Sequence, residues 1–284
     1  MARLYKREVA VTLTPPADNS FFALQTTSTT VTDLRVQFSV EKNLSKEPNT
    51  CEVNIFNFAE ATRALSQRNP LHVRVEAGYD GDPKRLFAGD VRFARSIRNG
   101  PNWITELQLG DGSRAFRRAR SNKSFGRGVK SRQVIKQLIV DMGLTAPVNL
   151  NLLDELDNTY SAGLAVEGPT QRELTRLLSP YGLQWSIQDG RFQVLRERDV
   201  RFDNPVLVSQ DTGMIGSPEF GSPAKKGKPP ILHIRMLLFP AMTPGQRITV
   251  NAKNASGTFK VTRVLHTGDT HAEDWQTAME AVQV

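Results

Sequence analysis

The sequence of 284 residues contains a single cysteine, which excludes an internal disulfide bond and any metal site built from several thiolates. Cys51 alternates along the chain with Val53 and Ile55, and this spacing predicts a small buried side chain on a strand. We therefore assign Cys51 no catalytic role.

Long apolar runs are also absent, since no stretch approaches the roughly 20 apolar residues of a membrane-spanning helix. The strongest candidate, residues 231–242, contains His233 and Arg235. The first residues, M-A-R-L-Y-K-R-E, are charged and lead into an alternating pattern instead of the apolar core of a secretion signal. These features predict a chain without a membrane segment that is made and kept in a cytoplasm.

Motifs of catalysis and of cofactor binding are missing from the sequence. The glycine-rich stretches G-D-G-S from Gly110 and F-G-R-G-V-K from Phe125 lack the spacing and the Lys-Ser/Thr pair of a phosphate-binding loop. Neither G-x-S-x-G nor H-E-x-x-H occurs. The sequence therefore predicts no cofactor and no catalytic residue.

One stretch, H-T-G-D-T-H-A-E-D, has the residue types of a metal site. Its possible ligands are His266, Asp269, His271, Glu273 and Asp274. The same stretch occupies the connection of a predicted hairpin, however, and polar residues are what an exposed turn requires. We therefore expect a turn here and assign no metal.

A run of basic residues is the strongest charge feature of a chain with a formal net charge of +8. No Asp or Glu interrupts the run, whose members are Arg114, Arg117, Arg118, Arg120, Lys123, Arg127, Lys130 and Arg132. Such a segment can be a solvated linker, an interface with another protein or a nucleic-acid site. Only Phe116 and Phe125 accompany it, so the aromatic platforms of single-strand binding are scarce.

A piece of the first third of the chain recurs near its end. G-D-V-R-F-A-R-S-I-R-N-G and W-I-T-E-L are matched by G-T-F-K-V-T-R-V-L-H-T-G and W-Q-T-A-M. The identities are Gly89 with Gly257, Arg95 with Arg263, Gly100 with Gly268, Trp103 with Trp275 and Thr105 with Thr277. Each copy is predicted to be a strand, a connection containing glycine, and a returning strand that begins at tryptophan.

Alternating apolar residues predict strands on both sides of a different middle region. The strands cover residues 8–14, 34–41, 51–58, 71–79, 86–95 and 103–109, and later residues 231–239, 246–252, 258–265 and 275–282. Short strands at this spacing favour a barrel or a sandwich. Residues 217–230, rich in Pro, Gly, Ser and Lys, predict a mobile loop.

The middle region combines two helices with a hairpin. Ser131 is the predicted N-cap of the first helix, and Thr170 with Glu173 has the pattern of a capping box for the second. Asp189-Gly190 suits a two-residue turn that places Trp185 opposite Val194. The predicted fold is mainly β with α+β, divided into residues 1–112, 113–200 and 201–284.

Several stretches, taken in order, resemble the baseplate hub or tail hub proteins of tailed bacteriophages. They are L-R-V-Q-F-S-V-E-K-N-L-S-K-E-P-N-T-C-E-V-N-I-F-N-F, V-E-A-G-Y with L-F-A-G-D-V, the D-G hairpin with T-G-M-I-G-S-P-E, and P-G-Q-R-I-T-V with V-L-H-T-G-D-T-H-A-E-D-W-Q-T. The resemblance spans nearly the whole chain. It departs from many relatives at Phe56 and Phe58, where they carry tyrosine and leucine.

The resemblance implies a structural protein of the virion tail baseplate and not an enzyme. Two tube-like β-barrel modules would flank the central α+β domain, so that a homotrimer offers six modules to a sixfold tail tube and threefold symmetry to a spike. The implied partners are the tail tube protein, the tail spike protein and other baseplate proteins, with DNA or a tape-measure protein in the lumen. A spike or a cell-wall hydrolase would be a separate polypeptide.

Within this reading, the repeat residues are expected to be structural and the basic run to be an interface. The predicted anchors are Gly89, Arg95, Gly100, Trp103, Gly257, Arg263, Gly268 and Trp275, and the predicted interface is Arg114, Arg117, Arg118, Arg120, Lys123 and Arg127. Two alternatives stay open. One is a murein hydrolase with a carboxylate from Asp154, Glu155 or Asp157, and the other is a nucleic-acid-binding module that uses the basic run.

Overall fold

The computed structural model describes residues 6–15, 28–45, 47–67, 71–112, 119–148, 152–153, 155–201, 204–222 and 229–284. Arg114, Arg117, Arg118 and Asp154 lie outside these ranges, as does most of the predicted loop after Phe220. Among the residues described, no helix is long and apolar enough to cross a bilayer.

The N-terminal module consists of seven strands and one helix. They are β1 (Arg7–Thr14), β2 (Thr29–Val31), β3 (Val36–Asn43), β4 (Thr50–Phe56), α1 (Glu60–Ser66), β5 (His72–Tyr79), β6 (Lys84–Asn99) and β7 (Asn102–Gly110). The predicted apolar face of β3 is confirmed, since Val36, Phe38 and Val40 are buried. A first core cluster forms where alternate residues of these strands meet.

The described part of the central unit includes seven short strands and two longer helices. They are β8 (Arg120–Phe125), β9 (Val129–Lys130), α2 (Ser131–Asp141), β10 (Thr145–Val148), β11 (Thr159–Tyr160), β12 (Leu164–Pro169), α3 (Thr170–Leu178), β13 (Leu183–Gln188) and β14 (Arg191–Arg196). The predicted hairpin is confirmed, because Trp185 pairs with Val194 and both Asp189 and Gly190 have positive φ. The apolar face of α3 packs on this hairpin in a second core cluster.

Both predicted helix caps are wrong in detail. Lys130, not Ser131, is the N-cap of α2, and the Ser131 hydroxyl donates to the carbonyl of Asn158. Thr170 is the first residue of α3 after Pro169, and Glu173 pairs with Arg176 instead of reaching back to the cap. The Ser131 and Thr170 hydroxyls bond to residues outside their helices, Asn158 and Ser121, whereas Glu173 is held by Arg176 of the same helix.

The C-terminal module consists of six strands around a third core cluster. They are β15 (Val206–Val208), β16 (Glu219–Phe220), β17 (Leu232–Leu237), β18 (Arg247–Asn251), β19 (Ser256–Asp269) and β20 (Trp275–Gln283). The predicted loop at 217–230 is therefore interrupted by β16, which pairs with β17.

All strands of the two β modules join one 13-stranded sheet. Its main order is β16-β17-β20-β19-β3-β4-β7-β6-β5-β1-β2, with β18 on the first half of β19 and β15 beside β18. The structure thus shows one large sheet without a closed barrel, so the expectation of two separate β-barrel modules is not confirmed. The physical reason is that the first part of β19 pairs with β18 and its second part pairs with β3. The strand β19 therefore connects the two modules instead of closing a barrel within one of them.

The repeat is visible in the strand order of the two modules. The antiparallel series β3-β4-β7-β6-β5 corresponds to β16-β17-β20-β19-β18. Outside this series the modules differ, because β1 is antiparallel to β5 whereas β15 is parallel to β18. A five-stranded unit is therefore present twice in the chain.

The register of the two hairpins corrects part of the predicted alignment. The β6–β7 ladder is interrupted between Val91 and Phe93, and the β19–β20 ladder between Val261 and Arg263. When these irregularities are superimposed, Trp103 matches Trp275, paired with Arg98 and Gly268 respectively.

The outgoing strands therefore match with an offset of two residues from the predicted alignment. Arg95 does not correspond to Arg263, nor Gly89 to Gly257. Gly100 lies in a turn with φ of 58°, whereas Gly268 lies within β19, so the two glycines do not occupy equivalent connections. Because both ladders carry the irregularity at the matching place, the copies differ in the length of the turn, which has four residues between Arg98 and Trp103 and six between Gly268 and Trp275.

Candidate functional site: the joint between the two modules

The two β modules are joined by direct strand pairing. Residues Arg263–Asp269 of β19 pair with β20 on one edge and with Gln37–Asn43 of β3 on the other. The backbone ladder therefore runs from one module into the next without a break. This contact between distant parts of the chain is the joint that we analyse as the candidate functional site.

Trp275 lies on the core face of the joint and packs into the other module. Its ring meets Phe38 edge-on at a centroid distance of 5.5 Å and Tyr79 at 6.3 Å. The Arg7 guanidinium lies 5.5 Å from the ring centroid. Only 3% of Trp275 is exposed, and it belongs to the core cluster of the N-terminal module. The tryptophan thus contributes aromatic packing to the joint beyond its backbone pairing.

Asp269 fixes the turn end of β19 to the start of β3. Its carboxylate accepts hydrogen bonds from Arg35 at 2.7 Å and from the Gln37 amide at 2.8 Å. The amide of His271 donates to the same carboxylate. Burial opposes ionisation of Asp269, but these donors outweigh it and lower the pKa to about 2. Asp269, one of the residues considered as possible metal ligands, is therefore paired with an arginine.

The remaining histidine of that set lies in the core. His266 is fully buried, its Nδ1 is 2.9 Å from the Thr277 hydroxyl, and burial lowers its pKa to about 3. Over the described ranges, no three His, Cys, Asp or Glu side chains are grouped closely enough to hold a metal ion.

Arg263 links three strands on the open face of the joint. Its Nε donates to Glu41 of β3 at 2.8 Å, and its Nη1 donates to Glu280 of β20 at 3.0 Å. In the N-terminal module Arg95 pairs with Glu106 across the β6–β7 hairpin. Both arginines are therefore held by carboxylates of neighbouring strands, although their positions in the hairpins differ.

A buried lysine attaches the central unit to the N-terminal module. Lys42 is 1% exposed, and its Nζ lies 3.0 Å from each carboxylate oxygen of Asp189 in the turn of the β13–β14 hairpin. The Gly190 amide of the same turn donates to Asp111 Oδ1 at 2.9 Å. Burial, together with the charge of Asp189, raises the pKa of Asp111 to about 6.

A second buried lysine attaches the central unit to the C-terminal module. Lys260 of β19 donates to the carbonyls of Arg196 and Glu197 at 3.0 and 2.9 Å. Burial lowers its pKa to about 8. The sequence analysis missed both lysines, although Lys42 follows Val36, Phe38 and Val40 at core-face spacing and so signals a buried charge.

The described part of the basic run lies in the central unit. Lys123 on β8 pairs with Asp141 at 2.6 Å, and Lys130 pairs with Asp157 at 2.8 Å. Arg120 and Arg127 are exposed. Carboxylates from other segments thus neutralise two members of the run, which a scan of residues 113–132 alone could not reveal.

Two of the acidic residues proposed for catalysis are held by basic side chains on different strands. Glu155 forms an ion pair with Arg196 of β14, and Asp157 pairs with Lys130 of β9. The hydrogen bond from Lys130 lowers the pKa of Asp157. This arrangement does not favour a pair of carboxylates that face each other across a substrate.

The two tryptophans of the repeat have unequal surroundings. Trp103 is 37% exposed, and the Arg63 guanidinium of α1 lies 4.3 Å from its ring centroid. No segment of the other module covers Trp103 within the described residues, whereas Phe38 and Tyr79 cover Trp275. In the described part of the chain, the other module therefore covers the tryptophan of the second copy of the repeat but not the tryptophan of the first copy.

Comparisons with known proteins place this architecture among phage tail proteins. Residues 9–253 match the model of the family described as Baseplate hub gp41. No curated protein matches the sequence. Solved structures share the fold at low identity.

Three of those structures illustrate the likeness. The 43 kDa tail protein of prophage MuSo2 from Shewanella oneidensis is 9% identical with a TM-score of 0.66, covering 98% of this chain and 97% of that one. A tail protein from Neisseria meningitidis MC58 is 10% identical with a TM-score of 0.64 and the same coverage. The Escherichia coli c3393 protein, a type VI secretion component, is 12% identical with a TM-score of 0.59, covering 89% and 74%.

Proposed function

The chain belongs to the baseplate hub gp41 family of structural tail proteins of the virion baseplate, and from this premise we propose that it forms a homotrimer that adapts symmetry. One side of the trimer would meet the sixfold tail tube protein, and the other would meet a threefold tail spike protein. Other baseplate proteins would surround it.

The observation that carries this proposal is the duplicated five-stranded unit. Each chain holds two copies, β3-β4-β7-β6-β5 and β16-β17-β20-β19-β18, in one continuous sheet. Three chains would therefore present six similar units around an axis, as a sixfold partner requires. These units would be the tube-like modules of the hub.

The central unit supports the threefold part of the proposal. Residues 119–196 occur once per chain and are fixed to both modules by Lys42 and Lys260. Three chains would present three such units. A structure with one element repeated six times and another repeated three times has the symmetry of an adapter.

We propose that the basic run contacts a neighbouring baseplate protein. The interface would consist of Arg120, Lys123 and Arg127 with Arg114, Arg117 and Arg118. Support comes from the ion pairs of Lys123 and Lys130, which interrupt a continuous cationic surface for a polyanion. DNA or a tape-measure protein would then pass through the lumen without using this run.

The mass of the purified assembly tests the proposal. We expect three times the 31.6 kDa mass of one chain. Electron microscopy of tails with a labelled chain should then place the protein at the distal end of the tube. A protein that stays monomeric at micromolar concentration, or a label elsewhere on the particle, would contradict the adapter role.

A further inference from the structure

The second half of β6 has a free edge where the second half of β19 has a partner. β6 pairs with β5 through residue 90 and with β7 from Asp90 to Asn99, so residues 93–99 lack a strand on the edge opposite β7 among the residues described. The corresponding edge of β19 is covered by β3. The two copies of the unit are therefore alike except for this missing neighbour.

Apolar side chains accompany the free edge of β6. Phe93 and Ile97 are 45% and 37% exposed, and Trp103, at the position that matches buried Trp275, is 37% exposed and contacts the Arg63 guanidinium. Natural proteins protect free strand edges with charges, proline or covering segments, because an exposed apolar edge pairs with another chain. Residues 93–99 also include Arg95 and Arg98, but Arg95 is paired with Glu106 of β7, so the exposed Phe93 and Ile97 leave this edge suited to an interface.

The strand β16, at the opposite end of the same sheet, offers an edge that could pair with the free edge of β6. β16 is the terminal strand beyond β17, and it occupies the position in its unit that β3 occupies in the other. Phe220 and Ile215, on and beside β16, are 52% and 36% exposed. Exposed apolar residues therefore occur on both strands, β6 and β16, that would pair if the β19–β3 contact were repeated between two chains.

From this correspondence we propose that residues 94–99 of β6 pair antiparallel with residues 217–222 of a second copy of the chain. The contact reproduces between chains the β19–β3 joint within a chain, and it rests on the proposed trimer. The two surfaces differ, so the contact is head-to-tail and closes into a ring when the rotation between copies is 120°. A ring of three has three internal joints and three joints between chains.

The internal joint also assigns the register of the contact. Thr267 pairs with Ser39 there, and the matching positions are Ile97 on β6 and Glu219 on β16. Trp275 packs on Phe38, and the matching positions are Trp103 and Pro218. Trp103 therefore becomes covered by the Pro218 region of the second copy, which completes the joint around the first tryptophan.

Disulfide trapping tests the edge and its register. The double variant Ile97→Cys with Glu219→Cys places one thiol on each edge, at directly opposed positions. The natural Cys51 is buried and burial raises its pKa, so it does not enter the exchange. Under mild oxidation we expect a covalent ladder that ends at the trimer on a non-reducing gel.

The matched control moves one thiol a single strand away. His233 on β17 pairs with Glu219, so Ile97→Cys with His233→Cys separates the two thiols by about 10 Å, beyond disulfide reach. This variant and each single-cysteine variant should give no ladder.

The outcomes separate this inference from the proposed function. A trimer by mass whose Ile97→Cys/Glu219→Cys variant forms no more disulfide than the control overturns the inference and leaves the adapter role intact. Disulfide dimers of the single Ile97→Cys variant would show two β6 edges meeting across a twofold axis, which also overturns it. A monomeric natural protein contradicts both proposals.

A second variant keeps the inference testable without disulfides. Ile97→Glu places a carboxylate directly opposite Glu219 of the second copy, and it should raise the concentration at which the trimer dissociates by at least about tenfold, because like charges at opposed positions repel. Circular dichroism should be unchanged. Unaltered assembly of Ile97→Glu would overturn the inference.

Discussion

Replacing Trp275 by alanine removes the largest apolar side chain of the joint between the modules. The ring is 3% exposed and packs edge-on against Phe38 at 5.5 Å. Deletion of a buried tryptophan costs about 3–5 kcal/mol, since the transfer free energy is lost and a cavity remains. We expect the free energy of unfolding of Trp275→Ala to fall by about 4 kcal/mol.

Trp103→Ala is the matched control for this prediction. Trp103 holds the same place in the first hairpin but is 37% exposed, and its described aromatic contact is the Arg63 guanidinium at 4.3 Å. An exposed cation–π contact is worth about 0.5–1 kcal/mol. The loss in Trp103→Ala should therefore be about 1 kcal/mol when the chain is monomeric.

Urea unfolding followed by circular dichroism measures both losses. The comparison is best made in the Ile97→Glu background, where the chain is expected to be monomeric and no second copy covers Trp103. Equal losses in the two variants would refute the reasoning, because they would show that Trp275 gains nothing from the N-terminal module.

Three further predictions concern the charged groups. Lys42→Met leaves the Asp189 carboxylate partly buried without its ammonium partner, so calorimetry should show a loss of about 3 kcal/mol in the free energy of unfolding. The double variant Lys42→Met with Asp189→Asn should largely restore it. No loss in Lys42→Met would contradict the role of this ion pair in attaching the central unit. Because burial raises the pKa of Asp111 to about 6, the native state keeps this proton longer than the unfolded state. The stability of the natural protein relative to Asp111→Asn should therefore fall as pH rises from about 4 to 6, by at most about 3 kcal/mol, and a rise over this window would contradict the assignment. Arg120→Ala with Arg127→Ala should change the free energy of unfolding by less than about 0.5 kcal/mol but weaken binding to the neighbouring baseplate protein in a pull-down, and strong salt-dependent retention of the natural protein on DNA would favour the nucleic-acid alternative.

The sequence predicted the local parts of the fold well, because local spacing carries their signal. Alternation identified the buried face of β3, and Asp189-Gly190 identified a turn whose two residues need positive φ. The ordered phrases also identified the family, which the match over residues 9–253 confirms. The boundaries at 112 and 200 stay predictions.

The sequence did not predict the joint, because nothing local specifies it. Arg263 and Asn43 pair across more than 200 residues, and neither strand has a composition that selects the other. Both hairpins carry the irregularity at matching places, near Val91 and near Val261, and their turns differ in length by two residues, which the shared identities do not reveal. Lys42 and Lys260 are favourable inside the fold only because a third segment, the central unit, supplies their acceptors.

The anchor residues predicted from the repeat show their shared positions but not their burial, because burial depends on pairing with distant parts of the chain. Trp103 and Trp275 do occupy matching positions, yet their exposures differ because one neighbour is present within the chain and the other is not. Sequence identity reports the shared position, whereas burial depends on what pairs with the adjacent edge. The role of these residues as anchors of the ring stays a prediction.

A cryo-electron microscopy reconstruction of the purified assembly, viewed along its axis, tests the central claim most directly. The account predicts a wall of six similar β units, two from each of three chains, with three central units and alternating internal and intermolecular joints. A wall to which each chain contributes a single unit, or a ring of any other number of chains, would contradict it.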